Sequence, residues 1–133
     1  MRLYYGEETK KALENFPFSV HKTRMEFILA MVQIKKAAAI VNYKAGNLKK
    51  DTQNAIIKVC DEILKNKHND QFPLAYLQGG AGTAVHMNVN EVIANIATLI
   101  LKNKKVHPND HVNFGQSTND VNPSALKISV YCL

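Results

Sequence analysis

Two stretches of the chain combine small, hydroxylated and amide side chains in a pattern typical of anion-binding loops. The first is Gln78 to Thr83, which reads Gln-Gly-Gly-Ala-Gly-Thr, and the second is Ser117-Thr118-Asn119. Glycine lets a backbone approach a ligand closely, and hydroxyls and amides donate hydrogen bonds to anions. Both stretches precede a predicted helix, whose unpaired N–H groups favour carboxylate or phosphate. From the residues alone, a structural interpretation is favoured over a binding role: the glycines form turns, and the hydroxyl side chains are ordinary helix N-caps.

Other candidate chemistry is weaker. The segment from His107 to His111, His-Pro-Asn-Asp-His, predicts an Asx-type turn, and no further ligands are evident that would make it a metal site. Ser117 has no His or Asp at a motif spacing, so a hydrolase triad is not indicated. The glycine-rich run lacks the Lys-Ser/Thr ending of a P-loop and the Gly-x-Gly-x-x-Gly order of a dinucleotide-binding fold, which disfavours ATP and NAD. His86 stands near a predicted helix start, where its type alone does not decide between loop contact and ligand contact.

The elements that position these residues are predicted to be mainly α: about four helices joined by two long loops. The predicted helices run from Ser19 to Tyr43, from Asp51 to about Lys67, from about Asn88 to Leu101, and from a start near Thr118 to Asn122 onwards. Gly46 is expected just past the first helix, and Asp51 is expected to cap the second. The residues before Ser19 are predicted to be an extended or irregular lead-in. Because no stop signal follows the last helix, we expect it to be truncated at Leu133.

Composition limits the class of protein. The 133 residues, 46% hydrophobic and 21% charged, predict one globular domain, residues 1–133. The net charge of +6 is spread as lysine pairs, and the chain has no Trp, which argues against nucleic acid. Apolar runs fall far short of the ~20 residues of a membrane span, and no signal sequence is evident. Two cysteines form no disulfide framework and fit free thiols in a reducing cytosol, so we expect a cytoplasmic protein.

Four motifs, taken together in order and spacing, resemble the aspartase/class II fumarase superfamily. They are Gln-Gly-Gly-Ala-Gly-Thr at 78–83, Met-Asn-Val-Asn-Glu-Val-Ile-Ala-Asn at 87–95, His-Pro-Asn-Asp-His-Val-Asn at 107–113 and Gln-Ser-Thr-Asn-Asp at 116–120. With the Tyr-Tyr-Gly of the lead-in, the resemblance covers essentially the whole chain. It implies the N-terminal domain of the superfamily fold, with the central helical bundle and the C-terminal domain lying outside these residues.

The resemblance also implies an activity. Ala81 and Thr118 are the choices typical of aspartases, whereas fumarases usually show Gly-Ser-Gly-Thr and Gln-Ser-Ser-Asn-Asp. This favours reversible elimination of ammonia from L-aspartate to give fumarate, through a stabilised aci-carboxylate and without metal or organic cofactor. Fumarate hydratase, which acts on L-malate, is the first alternative. A non-catalytic helical domain that only binds a partner or an anion is the second.

The residue roles that the resemblance implies fall into two sets. Substrate carboxylates and amine would be bound by Thr83, Ser117, Thr118 and Asn119. A second anion site near the active-site entrance would be formed by His107, Asn109 and Asp110, although Lys104 replaces the family's usual basic neighbour. Two positions depart from the family pattern: Ala84 stands where Ser is common, and His86 where Asn is common.

The resemblance further implies a homotetramer whose active sites combine segments of three subunits around a small dicarboxylate substrate. The family's catalytic base lies on a flexible Ser-Ser-x-Met-Pro-x-Lys-x-Asn loop that these 133 residues do not contain. We therefore expect no catalytic base in this segment and no turnover by the 133-residue chain alone.

Overall fold

The fold is known from a computed structural model, which describes residues 2–17 and 21–132. These residues form five α-helices: α1 (Glu7–Asn15), α2 (Met25–Lys44), α3 (Lys50–Leu64), α4 (Thr83–Leu101) and α5 (Thr118–Tyr131). Short 3₁₀ turns at Asn69–Gln71 and Gly80–Gly82 and a π-helical turn at Pro108–Val112 connect them. The described residues contain no strand beyond a single bridge between Lys22 and Ala75. The mainly α prediction is confirmed, with one helix more than expected.

The additional helix is α1, and the prediction of an irregular lead-in was wrong. Gly6 precedes the helix and offers no side chain to cap it. The cap comes instead from Glu91 of α4, whose carboxylate accepts hydrogen bonds from the backbone N–H groups of Gly6 (3.0 Å), Glu8 (3.0 Å) and Thr9 (3.2 Å). The Thr9 hydroxyl donates to the same carboxylate at 2.5 Å. A carboxylate at a helix N-terminus satisfies orphan donors and complements the helix dipole, so α1 is fixed by a distant residue.

Helix α2 begins at Met25 after Arg24, which adopts an extended conformation. The predicted cap Ser19 lies outside the described residues. The end of α2 is as predicted, because Gly46 follows it with φ +79° and donates its N–H to the Tyr43 carbonyl at 3.0 Å. A left-handed residue just past a helix is a position that glycine fills without steric cost.

Helix α3 begins at Lys50, with Lys49 in the cap position, so the prediction that Asp51 caps this helix was wrong. Asp51 lies in the first turn, where its carboxylate pairs with Lys104 (Nζ to Oδ1 2.8 Å, Nζ to Oδ2 3.1 Å). That hydrogen bond lowers the pKa of Asp51. An acidic residue in the first turn still favours the helix through its dipole, which explains why the sequence signal points to the correct turn.

Helix α4 is the central element of the core, and it packs against α1, α3 and the π-helical turn. It starts at Thr83, about five residues earlier than predicted, because Val85 and Val89 are already buried at helical spacing. Within the segment Gly80–Leu101, an 18-residue window has a mean hydropathy of 1.3, so the segment is long and apolar enough for a membrane span by composition. Most of it is buried inside this fold, as expected for the core helix of a globular domain.

Helix α5 begins at Thr118, the first residue of the predicted range, and packs along α2. Ser117 is its N-cap, and the Ser117 hydroxyl oxygen accepts a hydrogen bond from the Asn119 N–H at 3.2 Å. The helix buries Val121 and Ala125 but leaves Leu126 and Val130 exposed. It thereby holds the second predicted loop against the start of α4.

Candidate functional site

The two predicted loops lie together, at the N-termini of α4 and α5. The Asn122 side chain of α5 donates to the Ala81 carbonyl at 3.2 Å. One turn earlier, Thr118 Oγ1 lies 2.7 Å from Nδ1 of His86 on α4. Two helix N-termini, each with hydroxyl and amide side chains, therefore face a shared region, and both carry positive partial charge.

Gly82 makes this close approach possible. Its φ is +86°, and a Cβ built on it would overlap the Asn122 amide. Gly46 has a similar φ of +79° with nothing near its Cβ position, so it serves as a matched control. We expect Gly46→Ala to cost about 1 kcal/mol of unfolding free energy for the left-handed backbone, and Gly82→Ala to cost roughly twice that. Urea denaturation of both variants measures the difference, and equal losses would show that the loops are not tightly apposed.

The predicted ligand residues differ in their exposure and in the hydrogen bonds that they already make. The Thr83 side chain is exposed, and its hydroxyl donates to the Gly80 carbonyl at 2.6 Å. It must rotate away from its own loop before it can donate to a ligand. Ser117 and Asn119 are exposed at the start of α5, whereas Thr118 is half-buried. Their roles as substrate ligands stay predictions.

A cleft of about 680 Å³ borders the first loop and helix α5. It is lined by Gln78 and Gly82 of the first loop, Asn122 of α5 and the basic residues Lys22 and Arg24. The four predicted substrate ligands are not among its lining residues. The side-chain oxygens of Gln78 and Asn122 are buried and have no hydrogen-bond partner among the residues that the structure describes.

The predicted second anion site, His107, Asn109 and Asp110, forms a capped turn instead of the expected Asx-type turn. His107 Nδ1 accepts the backbone N–H groups of Asn109 (3.3 Å) and Asp110 (3.2 Å), so a ring nitrogen takes the place of an Asx oxygen. His107 N–H in turn donates to His111 Nδ1 at 2.8 Å. The neighbouring Lys104 is paired with Asp51. Within residues 2–17 and 21–132, no group of three His, Cys, Asp or Glu side chains is arranged to hold a metal ion.

A buried polar cluster centred on Lys35 lies behind the second loop, and sequence reasoning missed it. Lys35 is fully buried, and its Nζ donates to Asn113 Oδ1 (2.8 Å) and Gln116 Oε1 (2.9 Å). The same Nζ lies 2.7 Å from His86 Nε2. His86 therefore connects a buried lysine to the hydroxyl of Thr118.

Burial lowers the pKa values of both Lys35 and His86 in this cluster. It lowers the pKa of Lys35 to about 7. Burial, reinforced by the neighbouring Lys35 charge, lowers the pKa of His86 to about 4. The histidine is therefore neutral at physiological pH, while the lysine is close to its midpoint.

The family model described as Lyase matches residues 2–132. Fumarate hydratase class II of Campylobacter jejuni is 48% identical over 130 residues, covering 94% of this chain and 28% of that protein. Aspartate ammonia-lyase of Escherichia coli is 48% identical over 136 residues, covering 96% of this chain and 28% of that protein. The chain thus spans about 28% of the length of the curated relatives it matches.

Solved structures agree with the fold. A class II fumarase from Schistosoma mansoni matches 98% of this chain and 29% of its own with a TM-score of 0.93 and 36% identity. A fumarate lyase:delta crystallin from Brucella melitensis matches 99% of this chain and 31% of its own, also with a TM-score of 0.93, at 40% identity. The all-helical fold with its paired loops is therefore that of a lyase domain. The chain belongs to the lyase family, in the aspartase/class II fumarase superfamily.

Proposed function

We propose that this chain supplies the carboxylate-binding loops of an aspartate ammonia-lyase, which reversibly eliminates ammonia from L-aspartate to give fumarate. The observation that carries the proposal is the junction of the two helix N-termini, through Asn122 with Ala81 and His86 with Thr118. Thr83, Ser117, Thr118 and Asn119 are the proposed ligands of the substrate carboxylates and amine. The substrate is a small dicarboxylate, and the net charge of +6 favours its approach.

The proposed reaction explains why such loops are needed. Removal of the Cβ proton places a second negative charge on one carboxylate before the amine leaves. Preorganised donors and helix dipoles stabilise developing negative charge most effectively where water is excluded. The half-buried Thr118 hydroxyl and the N–H groups that begin α4 and α5 are donors of this kind. The proton-abstracting base is expected outside these 133 residues.

Fumarate hydratase is the second candidate, and the comparisons support it as well as they support the first. The matched fumarate hydratase and the matched aspartate ammonia-lyase are equally similar to this chain, each at 48% identity. The preference for aspartase depends on Ala81 and Thr118, which are the aspartase-like residues in the two loops. We also expect a cytoplasmic homotetramer in which His107, Asn109 and Asp110 form the second anion site.

The deciding experiment uses the complete product of the gene that encodes this chain. Fumarate formation is followed by ultraviolet absorbance with L-aspartate and, separately, with L-malate. We expect turnover of L-aspartate with kcat/KM at least about 100-fold above that of L-malate, since a site built to pair with one polar group rejects its analogue strongly. The purified 133-residue chain, assayed in parallel, is expected to be inactive.

Each alternative outcome has a defined meaning. Preference for L-malate makes the protein a fumarate hydratase. Absence of turnover with both substrates, in a folded gene product, favours a non-catalytic helical domain. Turnover by the 133-residue chain itself would contradict the expectation that the base lies elsewhere.

A further inference from the structure

In the buried series of hydrogen bonds from Lys35 through His86 to Thr118, each group has a defined role as donor or acceptor. An ammonium group has three N–H donors and no acceptor. Lys35 has three neighbours at hydrogen-bond distance: Asn113 Oδ1, Gln116 Oε1 and His86 Nε2. When Lys35 is protonated, His86 Nε2 must therefore accept.

The two amides cannot easily reverse this pattern. Asn113 Nδ2 donates to the Gln116 carbonyl at 3.2 Å, and Gln116 Nε2 donates to the carbonyls of Val112 (3.0 Å) and Phe114 (3.2 Å). Both amide nitrogens are thus engaged by backbone oxygens, which leaves the amide oxygens facing Lys35. The direction of the network is set by the protonation of the lysine.

With Lys35 protonated, the neutral His86 carries its hydrogen on Nδ1 and donates to Thr118 Oγ1, 2.7 Å away. The Thr118 hydroxyl hydrogen is then free to point towards a ligand at the start of α5. A carboxylate at this helix end would meet a donor.

With Lys35 neutral, its nitrogen has two N–H donors and one lone pair. The donors remain on the two amide oxygens, so the lone pair accepts from His86 Nε2–H. His86 Nδ1 then accepts from the Thr118 hydroxyl, whose hydrogen points inward. The Lys35–His86 pair has released one proton to solvent, and a carboxylate at α5 would meet only oxygen lone pairs.

The groups that face Lys35 leave its protonation sensitive to a bound anion. Cys60 on α3 has its pKa raised to about 12 by burial and stays neutral, and His86 on α4 is neutral as well. The neighbour on its own helix, Lys36, is paired with Asp61 at 2.6 Å. The side chains to which Lys35 is hydrogen-bonded in the described part of the chain are all uncharged, so no carboxylate there lies at hydrogen-bond distance to hold the proton in place. Burial brings the pKa of Lys35 to about 7, within the range that a bound anion can shift.

We propose that Lys35 and His86 form a buried relay that sets the direction of the Thr118 hydroxyl and thereby couples carboxylate binding at α5 to protonation of Lys35. Both are positioning residues, since they act through Thr118. The inference rests on the proposed function, which places a substrate carboxylate at Thr118. By linkage, a bound dicarboxylate raises the affinity of Lys35 for its proton.

The first test measures the tautomer of His86 without ligand. Long-range ¹H–¹⁵N spectra of ¹⁵N-histidine-labelled 133-residue chain distinguish Nδ1–H from Nε2–H, and His86→Asn identifies the signal among the five histidines. We expect Nδ1–H below the Lys35 titration and Nε2–H above it. Lys35→Arg keeps its charge over this range and should hold the Nδ1–H form at every pH. A tautomer that stays constant in the wild-type chain overturns the relay.

The second test measures binding on the complete gene product. Succinate, a dicarboxylate that cannot undergo the elimination, is used as the inhibitor because both of its carboxyl groups titrate below pH 7. We expect its inhibition constant to rise about tenfold as the pH rises through the Lys35 titration, as for loss of one hydrogen bond to a charged group. Lys35→Arg is expected to abolish this pH dependence. If this variant fails to fold, Lys35→Met, which should bind succinate weakly at every pH, replaces it.

The outcomes separate the relay from the proposed function. Turnover of L-aspartate with a pH-independent inhibition constant overturns the relay and leaves the proposed function standing. A tautomer change at His86 without effect on succinate also overturns it. Absence of both turnover and succinate binding at every pH overturns the proposed function and, with it, the coupling to a carboxylate.

Discussion

Replacing Glu91 by alanine is expected to lower the free energy of unfolding by about 3 kcal/mol, because four donors lose one charged acceptor. The Glu91 carboxylate is buried and binds three backbone N–H groups at the start of α1 together with the Thr9 hydroxyl. Thr9 is itself fully buried, so its N–H and hydroxyl groups would form few hydrogen bonds to water after the carboxylate is removed. Urea denaturation followed by circular dichroism measures the loss.

Two further variants test the cause. Glu91→Gln keeps one acceptor oxygen but turns an NH₂ towards backbone donors, so we expect an intermediate loss. Glu8→Ala removes from the same helix a carboxylate that is exposed and paired with Lys11, and we expect little change. If Glu8→Ala and Glu91→Ala had equal effects, the cap would not come from Glu91. Hydrogen exchange should also show α1 opening first in Glu91→Ala.

The same contact explains why α1 was not predicted. Local signals for a helix were present, with Glu7 and Glu8 in its first turn. The decisive group, however, lies in α4, more than 80 residues along the chain. One sign was available: Glu91 is the only charged residue in the predicted helix at 88–101. A buried carboxylate needs several donors, and the start of another helix is the richest local source of them.

The loops and the start of α5 were predictable because their signals are local. A Ser followed by Thr and Asn marks a helix start, and glycines mark a turn, whatever the tertiary context. Lys35 was not predictable in this way, because it forms a pair with Lys36 that resembles a solvated helix face. Lys36 does contact Asp61 near the surface, while Lys35 points into the core. Only the packing of α2 against the neighbouring elements distinguishes the two.

His86 shows where sequence reasoning stops for the site. Its position near a helix start allowed either a loop contact or a ligand contact, and the structure gives a contact with Thr118 at 2.7 Å. His86, which stands where the family commonly has Asn, thus provides a polar link to the second loop. The link makes Thr118 the residue of the four proposed ligands whose geometry is most tightly held, since Ser117, Asn119 and Thr83 are exposed.

Thr118→Val is therefore expected to have the largest effect on activity. Valine has nearly the same shape but no hydroxyl, so the proposed aci-carboxylate loses a preorganised donor. Removal of one such donor typically lowers kcat by about 100- to 1,000-fold. The measurement is kcat and KM for L-aspartate with the complete gene product, and we expect the loss to lie mainly in kcat.

Thr118→Ser is the matched control, because it keeps the hydroxyl and removes one methyl group. We expect it to retain most of the activity and, if Thr118 contributes to specificity, to narrow the preference for L-aspartate over L-malate. Valine also leaves His86 Nδ1 without its partner, which costs about 1–2 kcal/mol of stability. Thermal unfolding of each variant separates that cost from the kinetic effect. A folded Thr118→Val protein with unchanged kcat would exclude the hydroxyl from the reaction, and the helix N-terminus would then act through its backbone alone.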